Sequence, residues 1–378
     1  MSEVTARPGD VLGPVVVGPV AHGGHWVARL DGYVWFVRHA LEGETVTLRV
    51  REVGKRFGRA DVAEVLRASD DRVPAPCPIA GECGGCDFQH VAVGAQRELK
   101  EQVVAEQLRR LAGVDAHVPV EAADPDALGW RRRMRYHRAG DAWGLRAARS
   151  DTVVPLPPGG CRIAAPELAV PPSGAPQGDQ VIGALSQEGV HWGDLRDATV
   201  LPERAAHRRW DVAANGFWQV HPQAADVLVE AVLEGLSPRR GETAADLYCG
   251  VGLFSGALVD AGVDVVGIEG SLDAVALARR NVPEARFVAG AVERSLRKLP
   301  SDLDLVVLDP PRTGAGRAVI RAVLERGPRA IAYVACDPAA LARDLATALA
   351  DGWRVQGLRA FDLFPMTHHV ESVAILVR

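Results

Sequence analysis

Hydrophobic and polar positions change rhythm along the chain. Over residues 1–70 the apolar side chains fall in short, β-rich runs. These are Gly13-Pro14-Val15-Val16-Val17, Tyr33-Val34-Trp35-Phe36-Val37 and Thr45-Val46-Thr47-Leu48-Arg49-Val50, separated by turns such as Ala21-His22-Gly23-Gly24 and Asp31-Gly32. Strands of this length and spacing predict a small β-barrel. A stripe through Leu99, Val103, Val104 and Leu108 predicts a helix over 95–112. Residues 127–213 read as strand-rich, with a Pro/Gly-rich surface connection at 155–178. From about 215 the rhythm becomes an alternation of apolar strands, at 244–248, 263–268, 286–288, 303–308, 330–335, 354–361 and 370–377, with helices such as 272–281, 315–326 and 338–349. That alternation predicts an α/β fold built on a doubly wound, mostly parallel sheet. The expected division is a barrel at 1–70, a central region at 71–215 and an α/β domain at 216–378.

Composition narrows the class. With 48% hydrophobic and 24% charged residues the chain can bury cores, so it is neither disordered nor fibrous. No apolar run reaches the ~18 residues of a spanning helix. The N-terminus shows no basic region leading into an apolar stretch, so a cytoplasmic protein is expected. Six Cys in 378 residues is far from a disulfide scaffold and suits metal or catalytic use in a reducing compartment. A net charge of −5 excludes a globally basic nucleic-acid binder but not a local basic face. Only Lys55, Lys100 and Lys298 are lysines. An arginine excess suits planar contacts to phosphate and bases, though a GC-rich coding sequence that also raises Ala, Gly and Val accounts for it. One local patch stands out: Arg51, Lys55, Arg56 and Arg59, with Phe57 interleaved.

Several short segments carry candidate chemistry. Asp246-Leu247-Tyr248-Cys249-Gly250-Val251-Gly252-Leu253-Phe254-Ser255 ends a strand and opens a helix, where glycines let a ligand approach the backbone. Glu269, at the end of the next strand, is placed to accept both hydroxyls of a ribose. Together they resemble class I S-adenosylmethionine methyltransferases. Asp309-Pro310-Pro311-Arg312 ends the fourth strand, and its arginine stands where amino-methyltransferases carry an aromatic residue. Tyr333-Val334-Ala335-Cys336-Asp337-Pro338 puts a thiol in front of a helix, a position expected to lower its pKa. Glu371, in Thr367-His368-His369-Val370-Glu371-Ser372, falls at the same sheet edge. Cys77, Cys83 and Cys86 are spaced C-x5-C-x2-C and Cys161 is remote. Zinc more often uses two C-x2-C halves, whereas three clustered thiolates and one distant one suit a [4Fe–4S] cluster; both remain open.

Taken together and in order, these segments resemble the RNA (uracil-C5)-methyltransferase family, in the branch with an N-terminal TRAM domain and an iron–sulfur cluster. The resemblance also takes in Gln89-His90 and Phe217-Trp218-Gln219-Val220 and covers nearly the whole chain. It implies that Gln219, Tyr248, Glu269 and Asp309, with the Gly250 and Gly252 turn, bind S-adenosylmethionine. It implies Cys336 as nucleophile, Glu371 as base, and a [4Fe–4S] cluster on Cys77, Cys83, Cys86 and Cys161. Leu253 and Ala291 stand where some members place polar cofactor contacts. Asp337 stands where the family usually has Asn, and the central domain is shorter than is typical.

The chemistry independently asks for these residue types. Uracil C5 is a poor nucleophile until a thiolate adds to C6 and makes an enolate. The C5 proton must then leave to a positioned carboxylate, and the base must first leave any stack. The expected substrate is a uridine of structured RNA, ribosomal RNA ahead of transfer RNA, acted on by a monomer with no membrane contact. Two other readings are a non-catalytic RNA-binding protein, disfavoured by the co-occurrence of Cys336, Glu371 and Glu269, and cytosine-C5 methylation, whose Thr-Cys-Ser or Pro-Cys nucleophile context is absent.

Overall fold

The computed structural model describes residues 6–124, 126–176 and 178–378. Strands β1 (Val11–Ala21), β2 (His25–Leu30), β3 (Tyr33–Arg38), β4 (Thr45–Val53) and β5 (Phe57–Arg67) close into a barrel in the order β1-β2-β3-β5-β4. Its centre is apolar, with Trp26 and Trp35 buried beside Val17, Val37, Val46 and Leu48. Truncating either tryptophan to alanine would cost about 3–5 kcal/mol. The hydrophobic pattern predicts three of the five strands. It misses β5 because Gly58 must be small: a Cβ there would lie 2.3 Å from the Trp35 ring. The basic patch is accordingly a hairpin, with Arg51 on β4, Lys55 and Arg56 in the turn and Arg59 on β5.

Helix α1 (Val93–Gln107) runs on as a wider helical turn to Ala112 and stops at Gly113, whose φ of 68° is left-handed. It is a wedge with two apolar sides. Leu99 and Val103 belong to the barrel core, while Val104 and Leu108 belong to the core of the large sheet. Between those sides Lys100 is buried, its Nζ 2.6 Å from Asp362 Oδ1 and 3.1 Å from the Phe364 carbonyl. A short strand β6 (Val120–Ala122) follows. The central sheet is β7 (Arg133–Ala139), β8 (Ala142–Arg146), β9 (Val153–Pro155), β10 (Gln180–Ser186) and β11 (Gly189–Gly193), ordered β11-β10-β7-β8-β9. The hairpin β12 (Val200–Ala205) and β13 (Arg208–Ala213) inserts Trp210 against Gly256, so it shares the apolar core of the C-terminal sheet.

The rest alternates: α2 (Ala224–Leu236), β14 (Thr243–Leu247), α3 (Leu253–Asp260), β15 (Asp264–Glu269), α4 (Leu272–Asn281), β16 (Arg286–Ala289), α5 (Val292–Ser295), β17 (Leu305–Leu308), α6 (Arg317–Leu324), β18 (Ala330–Ala335), α7 (Pro338–Ala350), β19 (Arg354–Asp362) and β20 (Glu371–Val377). The eight-stranded order is β16-β15-β14-β17-β18-β20-β19-β6. Strands β14 to β18 are parallel, as the alternation predicts, and β20 slots between β18 and β19 antiparallel to both. The edge strand β6 pairs in parallel with β19 through only three residue pairs, too short to leave a periodic trace in the sequence. All five parallel strands end on one side, where ligands of open α/β sheets bind. No helix among the described residues is long and apolar enough to cross a membrane.

Candidate active site

A cavity of about 1100 Å³ opens at that sheet edge. It is lined by all eight expected cofactor and catalytic residues except Gly252: Gln219, Tyr248, Gly250, Glu269, Asp309, Cys336 and Glu371. One end is built by the β14–α3 turn. Tyr248 and Gly250 have φ of 65° and 53°, and a Cβ at Gly250 would meet no protein atom within 4 Å, so glycine there leaves open space. Gly252, with φ 96°, is the N-cap of α3 and packs on Val282 and Phe287 instead of facing the cavity. The Glu269 carboxylate accepts the Gly250 N–H at 3.1 Å and the Ser271 N–H at 2.7 Å, which fixes its orientation at the cavity wall. Asp246 is fully buried and takes the Ser255 hydroxyl at 2.6 Å; it shapes the turn from behind. Leu253 and Ala291 line this end without polar side chains, and Glu293, which accepts the Tyr248 hydroxyl at 3.3 Å, is the acid beside them.

The other end carries Cys336 and Glu371. Ala335 on β18 faces Ser372 on β20, so Cys336 and Glu371 leave neighbouring strands side by side. The expectation of an acidified thiol fails. Burial pushes the Cys336 thiol up to about 12, with Glu371 adding to the shift and Arg312 opposing it. The helix N-terminus behind it is outweighed by desolvation and surrounding carboxylates. Burial likewise holds Glu371 well above the usual carboxylate range, with Asp309 adding and Arg312 opposing, and burial raises Asp309 to about 7. Arg312, which follows Asp309-Pro310-Pro311, is the cation acting on both Cys336 and Glu371. Its guanidinium lies 3.2 Å from His369 Nε2. The loop behind it is held by Asp344 on α7, which accepts the Tyr333 hydroxyl at 2.6 Å and the Ala315 and Gly316 N–H groups at 2.8 and 3.1 Å.

The loops that carry Cys336 and Glu371 are both tied to the N-terminal third of the chain. Asp337 caps α7 through the Ala340 N–H at 2.7 Å, and its other oxygen lies 2.9 Å from His22 Nε2 in the β1–β2 turn. The carboxylate at this position is therefore engaged with the barrel. On the second loop His368 pairs with Asp87, and the Asp87 and Phe88 N–H groups donate to the Met366 carbonyl. Gly24 is packed so closely here that a Cβ would lie 3.0 Å from both Asp87 and His368.

Comparison with known proteins agrees with this arrangement. The description "tRNA (Uracil-5-)-methyltransferase" matches residues 296–378, "TRAM domain" matches 13–63 and "Methyltransferase small domain" matches 222–333. A protein of Streptomyces avermitilis described as an uncharacterized RNA methyltransferase is 47% identical over 96% of this chain and 97% of its own length. A Thiobacillus denitrificans 23S rRNA (uracil(1939)-C(5))-methyltransferase RlmD is 32% identical over 97% of this chain and 100% of its own. The chain belongs to the RNA (uracil-5-)-methyltransferase family. The crystal structure of Pyrococcus abyssi tRNA (uracil-54, C5)-methyltransferase in complex with S-adenosyl-L-homocysteine superimposes with a TM-score of 0.73, covering 96% of this chain and 99% of that one at 24% identity; it shares the fold. The enzyme thus has the class I S-adenosylmethionine-dependent methyltransferase fold with an N-terminal TRAM barrel, and S-adenosylmethionine is its methyl donor.

Cys249 also lines the reaction cavity, and the other four thiols lie apart from it in a second cavity of about 180 Å³. Cys77, Cys83, Cys86 and Cys161 are buried and all line it. The loop is fixed to the central sheet through Gly84 N–H to the Arg146 carbonyl at 2.9 Å. Among the described residues no group of three or more His, Cys, Asp or Glu is placed to hold a single metal ion. The donor set does suit a bulkier four-thiolate group: the Gly85 N–H reaches Cys83 Sγ at 3.4 Å, Ile163 and Ala164 N–H groups aim at Cys161, and Gln89 aims at Cys86.

The raised thiol has a direct consequence. In the ligand-free enzyme Cys336 is expected to react with iodoacetamide more slowly at pH 7 than free cysteine does. Its rate should rise roughly tenfold per pH unit up to pH 9, because both values lie below its pKa and only the thiolate reacts. Mass spectrometry of the Cys336 peptide measures this; faster reaction than free cysteine at pH 7 would restore the acidified thiol.

Proposed function

We propose that this chain methylates C5 of one uridine in 23S ribosomal RNA, using Cys336 as nucleophile and Glu371 as base. The observation that carries the reading is the placement of Cys336 and Glu371 side by side at one end of a cavity whose other end presents Tyr248, Gly250 and Glu269. Cys336 adds to C6 of the uracil and makes C5 electron-rich. S-adenosylmethionine, when bound, supplies an electrophilic methyl group on a sulfonium whose positive charge favours ionised neighbours. Glu371 then takes the C5 proton, and the thiolate leaves C6 to restore the ring. Glu269, Tyr248, Gln219 and Asp309 hold the donor's end of the cavity. Arg312 supplies the fixed positive charge that both reactive groups need in order to ionise.

Ribosomal RNA is preferred because relatives at 32% and 29% identity over nearly the whole chain are named for 23S rRNA. The transfer-RNA enzyme of known structure is more distant in sequence and speaks to the fold. We read the barrel at 1–70 as the part that binds RNA, and the enzyme as a cytoplasmic monomer. Mass-spectrometric mapping of 5-methyluridine, with and without the gene, tests the reading. Loss at one 23S uridine supports it, loss only in transfer RNA selects that substrate, and no loss in either overturns it.

We read the cysteine cavity as a [4Fe–4S] site held by Cys77, Cys83, Cys86 and Cys161. The cluster would act there as a covalent cross-link between the 74–90 loop and the central sheet, since methyl transfer moves no net electrons. Protein purified without air is expected to be brown with about four irons per chain. Cys83→Ser should lose iron and weaken RNA binding or solubility while keeping S-adenosylmethionine binding, measured by calorimetry. One zinc and no iron would replace the assignment.

A further inference from the structure

The arginine-rich run Trp130-Arg131-Arg132-Arg133-Met134-Arg135 has no part in the chemistry described so far. The structure treats its members differently. Arg133 is used internally: its guanidinium donates to the Ala213 and Gly216 carbonyls at 3.1 Å each and to Glu203 at 3.4 Å. Arg131 has a fixed backbone, its N–H bonded to the Ile163 carbonyl at 2.8 Å and its own carbonyl accepting the Ala165 N–H at 2.9 Å. Yet among the described residues its guanidinium makes one hydrogen bond, Nε to the Arg133 carbonyl at 3.1 Å, and lies 5.9 Å from the Trp130 ring. Among the described residues it forms no ion pair.

This desolvated cation lines both cavities, together with Gly85. It is partly buried and has no carboxylate beside it, so beyond the thiols of Cys86 and Cys161 it has charge left to offer an anion. Arg312 is the cation whose charge acts on Glu371 and Cys336; Arg131 is not among the charges acting on either, and feels Cys161, Cys86 and Arg312 instead. Its place where the two cavities adjoin, with no direct action on the reacting pair, favours the backbone of an inserted nucleotide over its base. The two terminal nitrogens present a planar fork of donors matched to phosphate oxygens.

We propose that Arg131 is a phosphate-binding residue that grips the RNA backbone beside the uridine held in the reaction cavity. The proposal rests on the RNA-methylating reading above. Because Arg131 is pinned through its backbone, gripping a phosphate there costs little ordering entropy.

The test is equilibrium binding of a structured RNA fragment containing the target uridine to full-length, cluster-loaded protein carrying Cys336→Ala, so that no adduct forms. Arg131→Gln should weaken binding roughly tenfold at low salt and reduce the slope of log K against log salt by about one. Arg131→Lys, which keeps the charge, should keep the slope. An unchanged slope with Arg131→Gln overturns the proposal. If that variant also loses iron, the anion that Arg131 serves is the cysteine site. Methylation of the same RNA by wild-type protein separates the readings: methylation with an unchanged slope removes only the role of Arg131, whereas failure to methylate any RNA removes the functional reading.

Discussion

Cys336→Ala is expected to abolish methylation of RNA, a loss on the order of 10⁴-fold or more, and to leave S-adenosylmethionine binding unchanged. The size follows from what the residue does: without addition to C6, uracil C5 has no electron density to offer. The specificity follows from the site. Cys336 is partly buried at the reaction end of the cavity, whereas Tyr248, Gly250 and Glu269 line the other end, on the turn after β14 and on β15. No covalent protein–RNA complex should survive denaturation. The other thiol near the cavity, Cys249, cannot stand in. It is buried in the β14–α3 turn against Gly267, where a Cβ would lie 2.8 Å from its sulfur, and burial raises it well above the ordinary thiol range. Residual methylation by Cys336→Ala within tenfold of wild type would sink the covalent mechanism.

How much of this was legible in the sequence depended on whether a feature was local. The α/β alternation announces β14 to β20 because buried parallel strands are near-continuous apolar runs such as Leu305–Leu308 and Ala330–Ala335. The candidate residues were legible because each ends a strand and is flanked by turn-forming or helix-opening residues. What escaped depends on neighbours remote in sequence. Strand β5 reads as a charged patch because the aromatic ring that covers Gly58 comes from Trp35 on β3. Helix α1 shows one apolar stripe, but its two sides serve different cores. The thiol's ionisation escapes for the same reason: Cys336 and the helix start at Pro338 are two residues apart in the chain, while Glu371, Asp309 and the walls that desolvate the thiol are remote. Asp337 reads as a departure from the family pattern; only the fold brings His22 to it.

That electrostatic setting governs what happens when the base is removed. Glu371→Gln is expected to fold normally. Burial holds Glu371 well above the usual carboxylate range and so favours its neutral form, which an amide of the same shape imitates. Cys336 can still add to C6, and C5 can still be methylated. The C5 proton then has no positioned acceptor, and removing a general base costs about 10²–10⁴-fold in rate. The thiolate cannot leave until that proton does, so the enzyme stalls as a methylated, covalent protein–RNA complex. It should accumulate to near stoichiometry on a denaturing gel, and mass spectrometry should find a methylated uridine attached to the Cys336 peptide. Asp309 lines the same cavity, acts on both Cys336 and Glu371, and is raised to about 7, which makes it a carboxylate poised to take the proton slowly. Decay of the complex should therefore quicken as pH rises through 7, where Asp309 becomes ionised, and the double variant Glu371→Gln, Asp309→Asn should lose that pH dependence. Release of product by Glu371→Gln at the wild-type rate would show that Glu371 is not the base.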